Sequence, residues 1–170
     1  MGQDLVLLLL GSNIEPQIHV KAALEDLDEI FEIRTRSHLY HGPTIGAQGS
    51  PDFVNVALII VSPPPPERLR AQLREIEAAH GRVRGDDRNQ PRTLDIDIVC
   101  YASSNGQMRE PVDAGLSSLH YVALPALDIA GHWQFPGSDR RISDIVEELG
   151  PPPPRFGRME KSLPERELKN

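Results

Sequence analysis

Residues 81–101 read GRVRGDDRNQPRTLDIDIVCY and hold the densest charge and one of the clearest strands of the chain. Four arginines, Arg82, Arg84, Arg88 and Arg92, precede Leu94-Asp95-Ile96-Asp97-Ile98. The alternation of apolar and acidic residues predicts a β-strand. Side chains alternate faces along a strand, so Asp95 and Asp97 share one face, and Leu94, Ile96, Ile98 and Cys100 the other. Two carboxylates about 6–7 Å apart at Cα suit a pair of hard cations clamped on a phosphate chain. The upstream arginines would take the remaining phosphate charge. This stretch alone therefore points to a magnesium-dependent site for a di- or triphosphate, and an Asp-x-Asp pair on a solvated strand face is the plainer alternative.

Composition narrows the rest. The chain has 170 residues, 39% apolar and 5% aromatic, which fits one ordinary globular domain with a real core. Its 18 basic and 25 acidic residues give a net charge of −7, which argues against non-specific nucleic-acid binding. The basic run at residues 82–92 stands out against that background. A single cysteine, Cys100, allows no internal disulfide and reads as a packing residue. The apolar run 5–10 is too short to span a bilayer and lacks the flanks of a signal peptide, so a cytoplasmic protein without a membrane partner is expected.

Further along the chain, the same apolar run reads as a central strand covered on both faces, ended by the turn Gly11-Ser12-Asn13. Pro16 suits a first helical turn, and Val20, Leu24, Leu27 and Phe31 recur at helical spacing, predicting a helix over Pro16–Ile30. Residues 33–40 read as a strand, 41–52 as a long glycine- and proline-rich loop, and 53–61 as a second strong strand. Asn55 interrupts that last run. It is either satisfied by backbone or aimed at a ligand. A helix is predicted over 67–80, a weak strand over 108–112, one helical turn at 125–129, and a last helix from Ile142. Residues 113–120 read as loop. The chain after the second four-proline run, from Arg155, reads as a flexible polar tail. The order β-α-β-β-α-β followed by helices predicts an α+β fold, a ferredoxin-like α/β/α sandwich on a mainly antiparallel sheet. Residues 1–150 form the expected domain and 151–170 the expected tail.

The block Pro91-Arg92-Thr93-Leu94-Asp95-Ile96-Asp97-Ile98 resembles the signature of the 6-hydroxymethyl-7,8-dihydropterin pyrophosphokinases. Leu10-Gly11-Ser12-Asn13 resembles that family's N-terminal turn. Residues 40–55, with Pro43, Gly46, Pro51, Asp52, Phe53 and Asn55, resemble its pterin loop and the following strand. Glu77, Gly81, Arg82 and Arg84 resemble the helix end before the signature. The resemblance implies transfer of the β,γ-diphosphoryl group of ATP to the hydroxymethyl oxygen of the pterin, with release of AMP. It implies two magnesium ions on Asp95 and Asp97, and catalytic roles for Arg82, Arg92 and Asp97. Gly42, Pro43, Ile45, Phe53, Asn55 and Tyr121 would bind the pterin, with Phe53 and Tyr121 on its two faces. Arg74, Glu77, Arg84, Arg88 and Ile98 would bind ATP. A monomer acting on small molecules is expected.

The departures cluster on the nucleotide side. The family's Trp-Gly before the signature proline is replaced by Asn89-Gln90, its Pro-His segment followed by Arg-x-Phe is missing, a frequent Gln is Arg74, and an Arg-Thr pair is His41-Gly42. A paralogue that binds a pterin without catalysis, or one acting on a different acceptor, is the alternative that these losses leave open.

Overall fold

A computed structural model of the chain describes residues 2–45, 49–86 and 91–160. Every residue of strand β1 (Leu5–Ser12) is buried, as a continuous apolar run requires of a central strand. Helix α1 (Pro16–Ile30) opens on Pro16 and buries Val20, Ala23, Leu24 and Leu27. Strands β2 (Ile33–Arg36) and β3 (Tyr40–Gly42) lead to β4 (Phe53–Val61), and helix α2 (Pro66–Ala79) to β5 (Asp95–Ala102). Then come β6 (Met108–Arg109), a 3-10 turn at Ala114–Ser117, helices α3 (His120–Ala130) and α4 (Ile142–Leu149), and β7 (Gly157–Arg158).

The sheet runs β6-β5-β1-β4-β3-β7, with β2 also on β4, and each strand pair is antiparallel. The ferredoxin-like arrangement predicted from element order is thus present. Helices α1 and α2 cover one face through Leu24, Leu27, Leu69 and Leu73 against Val6, Leu8, Leu58 and Ile60. The other face carries Leu5, Leu7, Leu9, Ala57 and Ile59 beneath Val122, Ala126, Trp133 and Ile142 of the C-terminal helical region. No helix among the described residues is long and apolar enough to cross a membrane.

Four local readings are corrected by tertiary structure. The strand expected over 33–40 is broken at Ser37, whose Oγ accepts the Ala57 N–H at 2.9 Å and donates to its neighbour's carbonyl, His38 O, at 2.7 Å. The side chain takes a place in the ladder and the strand splits. The single turn expected at 125–129 is the whole of α3, which carries Pro125 inside it because Val122, Ala123, Pro125, Ala126 and Ala130 are all buried. The register of β5 on β1 shifts between Leu7, opposite Cys100, and Leu8, opposite Ile98, leaving Val99 as an extra residue. Leu94, Ile96 and Ile98 therefore pack towards α1 and α2, but Cys100 is buried on the α3 side, not on their face as alternation predicts. Burial pushes its thiol up to about 12.

The fourth correction concerns the expected tail. Residues 157–158 add a strand to β3, pairing Tyr40 with Arg158 and His41 with Gly157, and the Met159 N–H donates to Leu39 O at 2.8 Å. The polar composition of this stretch reflects an edge strand, whose outer side faces water. Residues 161–170 lie outside the described residues.

Asp128 on α3 ties these edge elements together. It accepts from the backbone N–H and Nδ1 of His38, both at 3.0 Å, and from the Tyr40 hydroxyl at 2.9 Å, with Arg158 at 3.7 Å. Burial and Asp128 push Tyr40 up to about 12. Removing the acceptor strands several donors at once. Asp128→Ala should therefore lower the thermal midpoint by about 4–8 °C, on the order of 2 kcal/mol. An unchanged midpoint in a calorimetric scan would show that the cluster contributes nothing.

Candidate functional site

Among the described residues only four polar ones are fully buried: Ser12, Asn13, Asn55 and Glu77. All four lie at one end of the sheet. Asn13, in the turn after β1, donates its backbone N–H to Arg92 O at 3.1 Å and accepts the Arg92 N–H on Oδ1 at 2.7 Å. Its Nδ2 reaches Pro51 O at 3.4 Å and Thr44 Oγ1 at 3.5 Å. One amide thus joins the first turn, the 43–52 loop and the entry to β5. Glu77, on α2, accepts the Ile96 N–H at 2.9 Å and Arg84 Nη2 at 2.8 Å. It anchors α2 to β5 and holds one of the four arginines in place.

Two clefts open at this end. The first has a volume of about 290 Å³. Gly42, Pro43, Ile45, Phe53, Asn55 and Tyr121 all line it, together with Arg92, Asp95 and Asp97. Phe53 and Asn55 come from β4, Tyr121 from α3, and the two aspartates from β5. Asn55 is 4% exposed and its amide has no hydrogen-bond partner among the described residues. Its side chain lines the first cleft. Ile45, by contrast, is 61% exposed, an apolar side chain standing at the rim.

The second cleft, of about 390 Å³, is lined by Arg74, Glu77, Arg84 and Ile98. It also takes in Arg70 and Asp113, which the sequence reading passed over. Arg70 and Arg74 are one helical turn apart on α2 and exposed, a spacing that is visible in the sequence. Asp113 precedes the 3-10 turn that it caps, accepting the Gly115 N–H at 2.7 Å. Nothing local marks it, because its neighbour in space is Asp97. Arg88 and the Asn89-Gln90 pair lie outside the described residues. Tyr121, Ser118, Leu119 and His120 close the first cleft, and His120 Nε2 is spent on Gly150 O at 3.1 Å.

Among the described residues Asp97 alone lines both clefts. Both oxygens of Asp95 are ion-paired, Oδ2 with Arg92 at 2.6 Å and Oδ1 with Arg82 at 3.4 Å. Arg82 also donates to Leu94 O at 3.1 Å and lines neither cleft. Water reaches Asp97, yet packed protein surrounds it. Desolvation first, then Asp95, Asp113 and Glu77, push its carboxyl up to about 7, with Arg92 opposing. Screening by that water keeps the cost below that of a core acid. Among the described residues no group of three or more His, Cys, Asp or Glu forms a metal cage. Asp97, with no ion-pair partner within salt-bridge distance among the described residues, is the carboxylate open to magnesium, which keeps several waters and takes its other ligands from substrate phosphates; Asp95 would have to release an arginine to join it.

Residues 7–131 match the family 7,8-dihydro-6-hydroxymethylpterin-pyrophosphokinase (HPPK). A Synechocystis protein named 2-amino-4-hydroxy-6-hydroxymethyldihydropteridine pyrophosphokinase is 30% identical over 151 residues, covering 82% of this chain and 73% of that one. Its Aquifex aeolicus namesake is 32% identical over 97 residues, 56% of this chain and 60% of that one. In fold, the chain is similar to Plasmodium falciparum HPPK-DHPS, with a TM-score of 0.65 at 10% identity, over 86% of this chain and 42% of that one. It thus spans about two-fifths of the length of that solved chain.

The raised Asp97 has a sign that can be checked. Its ionised form is disfavoured in the fold, so the penalty is in full force above about pH 7. It fades towards the ordinary carboxylate pKa near 4. Asp97→Asn should raise the thermal midpoint at pH 8 without divalent cations, by about 2–4 °C, and the gain should shrink at pH 5. Equal midpoints at pH 8 would remove the repulsion from the account.

Proposed function

Because the chain belongs to the 7,8-dihydro-6-hydroxymethylpterin-pyrophosphokinase family, a family of ATP-dependent pyrophosphokinases of folate biosynthesis, we propose that its two clefts hold the two substrates of that reaction. The pterin occupies the first and the ATP phosphates the second. The observation that carries this reading is Asp97, which borders both clefts where the transferred group must cross.

The acceptor cleft offers what a flat, polar-edged heterocycle needs. Phe53 and Tyr121 supply aromatic faces. The unpartnered Asn55 amide supplies a donor and an acceptor for the ring edge. The phosphate cleft offers Arg70, Arg74 and Arg84 to a polyanion.

In the reaction, the hydroxymethyl oxygen forms a bond to the β-phosphorus, the bond from that phosphorus to the α,β-bridging oxygen breaks, AMP leaves, and the hydroxyl proton is released. Asp97 orients the hydroxyl from the boundary of the two clefts. Asp97, and Asp95 on releasing an arginine, would hold magnesium, which would neutralise charge on the phosphate oxygens. Arg92, which lines the first cleft and rests on Asp95, turns its charge to the transferred diphosphate, while Arg82, which lines neither cleft, holds the other oxygen of Asp95. Positioning and charge stabilisation do most of the work in such a transfer, since the protein forms no covalent bond of its own.

The test is AMP formation from ATP, magnesium and 6-hydroxymethyl-7,8-dihydropterin. The expected result is magnesium-dependent AMP release, reduced by about three orders of magnitude or more in Asp97→Ala. Pterin binding by calorimetry without any AMP would replace catalysis with a binding role. Absence of both AMP and pterin binding would sink the reading.

A further inference from the structure

The C-terminal segment 151–160 lies beyond the family match, which ends at residue 131. It contributes Pro153 and Phe156 to the lining of the first cleft. The Phe156 ring stacks on Tyr40, with centroids 6.1 Å apart and planes at 17°. Tyr40 is itself fixed by its hydroxyl bond to Asp128. Behind the ring lies Gly42, where a Cβ would come within 2.3 Å of Phe156 Cδ2. A glycine at position 42 is thus required to let the ring lie flat against β3.

The segment is held at both ends of this aromatic residue. On one side Gly157 and Arg158 pair with His41 and Tyr40. On the other, Arg155 Nη2 donates to both oxygens of Asp52, at 2.8 and 2.9 Å. Arg155 adopts φ 69°, the left-handed region that a non-glycine residue enters at a cost. Asp52 immediately precedes Phe53, and Arg155 immediately precedes Phe156. One ion pair therefore couples the backbone positions of two aromatic residues that both line the cleft. Exposed pairs of this kind add little stability, so its consequence is placement.

We propose that Phe156 is a specificity-determining wall of the acceptor cleft, and that the Arg155–Asp52 pair is its positioning device. This rests on the acceptor reading given above. An aromatic wall backed by Tyr40 and unable to retreat past Gly42 favours a flat heterocycle. It leaves the arginine-lined phosphate cleft untouched, since no residue of the segment lines that cleft.

The experiment uses the full chain and two separate titrations, one with 6-hydroxymethylpterin followed by its own fluorescence, the other with magnesium and a non-hydrolysable ATP analogue. Phe156→Ala should weaken pterin binding about tenfold or more, Phe156→Tyr should restore most of it, and Arg155→Ala should weaken it about threefold. Affinity for the nucleotide analogue should stay within about twofold throughout. Pterin affinity unchanged in Phe156→Ala overturns the proposal, as does a parallel loss of both ligands. Should Phe156→Ala fail to fold, Arg155→Ala decides: weaker pterin binding alone supports the wall, unchanged binding overturns it. A wild-type chain that binds no pterin overturns this proposal together with the acceptor reading, an outcome distinct from a variant that binds as the wild type does.

Discussion

The Asn13 side chain is the constraint on which the site depends. Three segments distant in sequence, the turn after β1, the 43–52 loop and the start of β5, converge on a single buried amide. The loop and the start of β5 line the first cleft, beside Gly11 at the end of β1. Without this junction the cleft walls would be loops joined only through the sheet beneath them. The amide meets its hydrogen-bonding needs with backbone groups and the Thr44 hydroxyl, so burial costs it little and orders much. Glu77 does the same for the second cleft, joining α2 to β5 and fixing Arg84. The buried polar groups of this protein are brackets between elements, and the groups turned to the clefts stand on what they fasten.

Charge is arranged around these brackets in two tiers. Asp95 is neutralised within the chain by Arg82 and Arg92. Asp97 has no ion-pair partner within salt-bridge distance among the described residues and faces further acids. Arg70 and Arg74 wait without acidic partners among the described residues. A substrate that brings both cations and phosphates satisfies all of these groups together, which a simple ligand of either sign would not.

Much of the fold was legible because local pattern and tertiary demand agreed. The β1 run is apolar throughout since both its faces are covered, and Pro16 with its apolar stripe marks α1 to the residue. The pattern of Asp95 and Asp97 placed both carboxylates on one side of the sheet, and they do line one cleft. What escaped had its cause elsewhere in space. Helix α3 runs through Pro125 because burial outweighs a lost backbone bond. Phe156 is one apolar residue in a polar stretch, and only the pairing of β7 with β3 brings it to Gly42. Asp113 acquires importance from Asp97, which lies sixteen residues before it in the chain.

The extra residue at Val99 sets the phase of the whole site. Beyond it, Tyr101 and Ala102 are locked into both neighbours, β1 and β6. Before it, Asp95 and Asp97 look towards α3 while Ile96 and Ile98 look towards α2. With the far half of β5 anchored, losing one residue there would rotate the near half by one side chain. Two acids would then enter the apolar layer under α1 and α2, and two isoleucines would enter the cleft. A substitution along this strand leaves its register intact, but a change of length does not: insertions and deletions in residues 95–102 would be excluded at the level of folding, before catalysis is ever put to the test.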